Sequence, residues 1–189
     1  MTPTITKEEV FQLPVETFSG RIIVIQTEKE MNKAIGFLRK QSVIGFDTET
    51  KPSFKKGTLN KVSLLQFSTE DSCFLFRLNY VGFSPSLKEL FALPTVKKVG
   101  LAVKDDFSSL RRLTNFAPKG FVDLQDLAPD YDIREKSLQK IYAILFGKRI
   151  SKNQRLSNWE NDVLTDAQKL YAAIDAWACY KIYNKLLGQ

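Results

Sequence analysis

Asp47 and Glu49 in the run Phe-Asp-Thr-Glu-Thr, then Asp106, then Asp175 four residues after Tyr171, are the side chains of this sequence best suited to chemistry. Carboxylates are hard oxygen donors. With no histidine anywhere in the chain, four of them favour Mg²⁺ or Mn²⁺ over zinc or copper. Two such ions, typically about 3.5–4 Å apart, activate a water, hold a scissile phosphate and neutralise the leaving oxygen, which is phosphodiester hydrolysis. The missing histidine also removes Ser-His-Asp hydrolysis and His-ligated zinc. No Gly-x-x-x-x-Gly-Lys or Gly-x-Gly-x-x-Gly motif occurs, so a nucleotide-driven motor and a dinucleotide oxidoreductase find no support.

Local structure must bring the acids together. Val43-Ile44-Gly45-Phe46 is short, apolar and rich in β-branched residues, as a buried strand is. Asp47 and Glu49 at its end are two residues apart and therefore project from one face. Thr165 is a predicted helix N-cap with Gln168 completing a capping box, so Tyr171 and Asp175, four apart, share a helix face. Each pair has a plainer reading. Asp-x-Glu at a strand end also serves turns and caps, and Tyr171 with Asp175 also fits a half-buried aromatic beside a solvated carboxylate. Their order along one chain favours the site.

That order resembles the ribonuclease-H-like 3′-to-5′ exonucleases with four acidic residues and a third-motif tyrosine, the family of ribonuclease D and the Werner-syndrome protein's exonuclease domain. The likeness is carried by Val43-Ile-Gly-Phe-Asp-Thr-Glu-Thr, Gly57-Thr-Leu-Asn-Lys-Val-Ser-Leu-Leu-Gln-Phe, Lys97-Lys-Val-Gly-Leu-Ala-Val-Lys-Asp-Asp-Phe-Ser-Ser-Leu, Leu156-Ser-Asn-Trp-Glu and Leu170-Tyr-Ala-Ala-Ile-Asp-Ala-Trp-Ala. It implies that Asp47, Glu49, Asp106 and Asp175 bind two divalent cations and that Tyr171 positions the attacking water. A phenol pKa of about 10 agrees, since it makes tyrosine a poor general base at neutral pH. Asp106 is preferred to its neighbour Asp105 because the family's middle motif has an apolar residue four positions after its acid, here Leu110. Asp105 is then a helix N-terminal charge. The resemblance further implies an α/β fold of a mixed five-stranded sheet flanked by helices, with the first motif on the central strand.

Lys and Arg total 28 against 21 Asp and Glu, so the chain carries +7 although the proposed site concentrates negative charge. The surplus falls in Lys51, Lys55, Lys56 and Lys61, in Lys97, Lys98 and Lys104, and in Lys148, Arg149, Lys152 and Arg155. Such clusters steer a polyanion and hold its phosphates, and they also simply solubilise. Thr48, Lys61, Lys152, Arg155 and Trp159 are the candidate contacts to a DNA or RNA 3′ end. Trp159 is either a core anchor or a surface for stacking a base. Two other functions fit the composition: a non-catalytic basic nucleic-acid-binding module, and a phosphodiesterase acting on short oligonucleotides.

At 189 residues the chain is long enough for one domain and short for two. Residues 1–20 read as an N-terminal arm with a turn of helix near Lys7 to Phe11, and 21–189 as the exonuclease domain. Strands are predicted at 21–26, 43–49, 62–68, 74–78 and 98–103, the middle three as an antiparallel meander. Helices are predicted at 27–40, 86–91 and 106–115, then one ending at Gly147 and the one capped by Thr165. Cys73 and Cys179 show no Cys-x-x-Cys spacing and read as core. With no secretion signal, they predict an intracellular, cytoplasmic setting. No apolar stretch reaches the roughly 18 residues of a membrane span, so no membrane association is expected.

Overall fold

A computed structural model describes residues 4–55 and 57–188. Lys56, one of the lysines of the first basic cluster, lies outside the described residues. In chain order the elements are α1 (Lys7–Gln12), β1 (Arg21–Ile25), α2 (Glu28–Leu38), β2 (Val43–Thr50), β3 (Val62–Ser68) and β4 (Ser72–Arg77). There follow α3 (Leu78–Val81), α4 (Pro85–Ala92), β5 (Lys97–Gly100), α5 (Val103–Leu110), β6 (Phe121–Asp123) and α6 (Leu124–Leu127). A 3₁₀ turn (Ala128–Tyr131), α7 (Leu138–Phe146) and α8 (Asp166–Leu187) complete the chain.

The strands form one mixed sheet in the order β1-β4-β3-β2-β5-β6. β2, β3 and β4 are the antiparallel meander, while β1 joins β4, β5 joins β2 and β6 joins β5 in parallel. The sheet thus has six strands, not five. The added one, β6, is only three residues long and only partly buried, too short for a period-two pattern to show. Every residue of β3 and β4 is buried, as expected of strands covered on both faces. One face packs Ile44, Phe46, Leu65, Phe67 and Phe76 under α2, α4 and α5. The other packs Leu64, Leu75 and Val99 against α7 and α8. Cys73 and Cys179 are both buried there.

Capping places the helix starts. Thr27 with Glu30, and Thr165 with Gln168, form capping boxes, and Gly147 closes α7 in the left-handed conformation at φ 63°. The helix predicted from Asp106 begins three residues earlier, at Val103. Its entry is unusual: Ala102 sits at φ 56°, and the Asp123 carboxylate accepts the N–H groups of both Ala102 and Val103 at 2.9 and 3.0 Å. The described part of the predicted arm is tied down. Val15 pairs with Arg149, Phe18 is buried, and Glu16 meets Tyr142 and Lys148. No helix among the described residues is long and apolar enough to cross a membrane.

Candidate active site

Gly45, Asp47 and Glu49 alternate with Ile44, Phe46 and Thr48 along β2, so the two acids face α8. Gly45 is what lets α8 come close. A Cβ at that position would lie 1.8 Å from the Ala176 carbonyl oxygen, so only glycine permits this backbone approach. Asp175 is the residue next to that carbonyl, and it meets the β2 acids. Ligand atoms of Asp47, Glu49 and Asp175 all lie within 4.8 Å of one another. Asp106 enters from the first turn of α5, and Thr48 donates its hydroxyl to Asp106 Oδ1. Asp105 is exposed, whereas Asp106 is partly buried.

Electrostatics make this a site that demands positive charge. Burial first, then the Asp175 charge, pushes Asp47 up to about 8. Burial and the charges of Asp47, Asp175 and Asp106 push Glu49 to about 10. Asp106 rises to about 8 through burial and Asp47. Asp175 rises to about 7 through burial, offset in part by Tyr171 and Lys152. Asp175 Oδ1 is also buried without a hydrogen-bond partner, a costly state for a carboxylate. Clustered, desolvated oxygen donors with an orphaned acceptor are what a hard divalent cation would satisfy. Tyr171 lies on the same face of α8, and burial with the charges of Asp175 and Glu49 drives its phenol well above the ordinary range.

The basic candidates divide. Lys152 and Arg155 line a cavity of about 330 Å³ with Asp47 and Asp175, and their charges act on Asp175 and Glu49 respectively. Lys61 stands exposed on the approach to β3, with no contact to the carboxylates among the described residues. Trp159 cannot offer a face to a base. It is fully buried, its ring 5.9 Å from that of Tyr171, and it is a core anchor under the site. Thr48 is turned to Asp106 as described. A larger hollow of about 820 Å³ lies at the far end of β2, around Val43 and Trp177, and contains none of the four acids.

Three buried residues near the site were not among those the sequence singled out. Besides Gly45 there is Arg77, whose fully buried guanidinium donates to the backbone carbonyls of Asn161 and Asp162. It thereby fixes the loop that bears Lys152, Arg155 and Trp159. Gln66 pairs with Asp47 across β2 and β3, and its buried amide has no partner on either atom. Strand registry puts it on the same face as Asp47.

The mixed sheet thus gathers Asp47, Glu49 and Asp175, with Asp106 beside them, at one end of its central region, an oxygen-donor set that would suit a hard divalent cation. The chain belongs to the 3′-5′ exonuclease family, whose model matches residues 22–189. Its relatives include the bifunctional 3′-5′ exonuclease/ATP-dependent helicase WRN of Mus musculus, 36% identical over 76% of this chain and 11% of that protein. Another is a 3′-5′ exonuclease of Arabidopsis thaliana, 31% identical over 92% of this chain and 66% of that protein. The chain therefore spans from about a tenth to about two thirds of these relatives' length. Among solved structures, the Aedes aegypti Nibbler EXO domain superposes with a TM-score of 0.83 at 23% identity, covering 92% of each chain. Escherichia coli RNase D superposes at 0.78 with 21% identity over 87% of this chain and 44% of its own. At these identities the structural likeness speaks for the fold alone.

Proposed function

We propose that this protein hydrolyses the terminal phosphodiester bond at the 3′ end of a DNA or RNA strand, releasing nucleoside 5′-monophosphates one at a time. The observation that carries the reading is the convergence of Asp47, Glu49 and Asp175 within 4.8 Å, with Asp106 held beside them by Thr48. Asp47, Glu49, Asp106 and Asp175 would hold two Mg²⁺ or Mn²⁺ ions. When bound, the ions supply water activation and charge neutralisation at the phosphate. Tyr171 keeps its proton, so its hydroxyl orients the attacking water rather than deprotonating it. Lys152 and Arg155 face the carboxylates across the cavity and bind the incoming phosphates. The buried ring of Trp159 fixes Tyr171 from below.

Product analysis tests polarity and mechanism together. A 5′-labelled strand incubated with Mg²⁺ is expected to shorten in single-nucleotide steps with 5′-monophosphates accumulating. Internal cuts, seen as labelled products of intermediate length before any single-nucleotide ladder, would replace this reading with an endonuclease. Cleavage confined to very short oligonucleotides would instead favour the small-substrate phosphodiesterase.

A further inference from the structure

Of the four acids, Asp106 stands on neither β2 nor α8, so the close approach at Gly45 does not place it. It belongs to the first turn of α5, a helix of eight residues. Val103, Phe107 and Leu110 press that helix on the sheet, but apolar contact has no direction and does not by itself fix how a helix is turned. Directional bonds at its start must do so.

Those bonds come from outside the helix. Helices α2, α4, α7 and α8 each begin at a Thr or Ser whose own side chain caps the first turn, whereas Ala102 has no such group to give α5. Asp123, the last residue of β6 and the partner of Gly100 across the sheet, supplies the cap instead. Its Oδ1 accepts from the Ala102 N–H at 2.9 Å and its Oδ2 from the Val103 N–H at 3.0 Å. Oδ1 also accepts from the Gln125 N–H at 2.9 Å, so the start of α6 holds the carboxylate in turn.

Ala102 and Asp132 are the two non-glycine residues at positive φ among the described residues, and of these two types only aspartate visits that region readily. An alanine stays there because its surroundings demand it. The choice of a carboxylate is also specific, since it offers two acceptor oxygens and no donor. Asparagine at this position would turn an NH₂ group or lose an acceptor toward one of the two N–H groups.

We propose that Asp123 is a positioning residue for the reaction. Its two ties hold the turn between β5 and α5 in the left-handed form, set the direction in which α5 leaves the sheet, and so keep Asp106 at Thr48 beside the other acids. This rests on the exonuclease reading and adds a residue whose oxygens are engaged by backbone N–H groups rather than by substrate or metal.

Asp123→Asn is the test, with Mn²⁺ binding read by electron paramagnetic resonance, cleavage rates on a 5′-labelled single strand, and thermal melts. Mn²⁺ affinity and kcat are each expected to fall on the order of tenfold while KM for the strand holds, as when a partner of a metal ligand is removed. Adding Ala102→Gly to Asp123→Asn is expected to restore most of that affinity, because glycine takes the left-handed turn unaided. Asp123→Ser, which keeps one acceptor, carries the same expectation should Asp123→Asn not fold. A folded variant with a lower melting midpoint but unchanged Mn²⁺ affinity and kcat, or a loss that Ala102→Gly does not repair, overturns the positioning role and leaves the exonuclease standing. A wild type that binds no Mn²⁺ and leaves the strand uncut overturns the exonuclease reading itself.

Discussion

Asp175 shows how a single residue reports what the site needs. Its buried, unpartnered Oδ1 and the raised ionisation of its neighbours are destabilising in the folded chain unless cations offset them. The sign follows from linkage. Asp47 and Asp106, ordinarily near 3.8, titrate at about 8 when folded, so between these limits the unfolded chain has lost protons that the folded one retains. Stability must then fall as pH rises from about 4 to 8. Thermal melts in chelator are expected to show this fall, and Mg²⁺ or Mn²⁺ to raise the midpoint more at pH 8 than at pH 5. An equal metal effect at both pH values would contradict the assignment. The pairs Asp47–Glu49 and Tyr171–Asp175 were legible in the sequence because strand and helix periodicities are rigid enough to put i, i+2 and i, i+4 residues together, whereas Asp106 followed only from the resemblance of the middle motif. The Thr48–Asp106 hydrogen bond and the choice of core over surface for Trp159 could not be read from the sequence, because side-chain facing at a strand end and burial in a loop depend on partners far away in the chain. Asp106 lies 58 residues from Thr48.

At the scale of elements, the site is assembled by the approach of α8 to β2 and by the loop before α8. Gly45→Ala would place a methyl group 1.8 Å from the Ala176 carbonyl oxygen. Helix α8 must then move off the sheet, at a cost of about 1–3 kcal/mol, and carry Asp175 and Tyr171 with it. The expected result is a lower denaturation midpoint with a disproportionate loss of turnover, read by urea melts beside cleavage rates. Arg77→Met acts on the loop instead. It removes two charge-assisted hydrogen bonds that are worth roughly 1.5–3 kcal/mol each to the carbonyls they satisfy. Steady-state kinetics should show KM rising more than kcat falls, since Lys152 and Arg155 lose their placement while the carboxylates keep theirs. The meander, the major helices and the Thr165–Gln168 capping box could be read from pattern and caps. Strand β6 could not, because three residues pairing in parallel with a distant strand leave no periodic trace.

Across the whole molecule, the N-terminal segment is held to the rest of the fold by a polar cluster around the buried Glu16. Tyr142 donates to Glu16 Oε2 at 2.6 Å, Lys148 pairs with Oε1 at 2.9 Å, and Lys181 donates to the Tyr142 hydroxyl at 3.1 Å. Burial raises the Glu16 carboxyl, but Tyr142, Lys148 and the Thr17 N–H outweigh it and hold it below its ordinary range. Glu16 therefore stabilises the fold at neutral pH and loses that effect as pH falls below about 4.5. Glu16→Ala should cost about 1–3 kcal/mol at pH 7 and little at pH 3, as judged by chemical denaturation. A net charge of +7 would favour the approach of a polyanion such as the proposed strand. The most direct test of that centre is cleavage of a 5′-labelled strand by wild type and by folded Asp47→Ala, in Mg²⁺, in Mn²⁺ and in chelator. A single-nucleotide ladder that requires the metal and falls on the order of a thousandfold in the variant is the predicted result. Turnover that survives chelation, or that Asp47→Ala retains while folded, would contradict it.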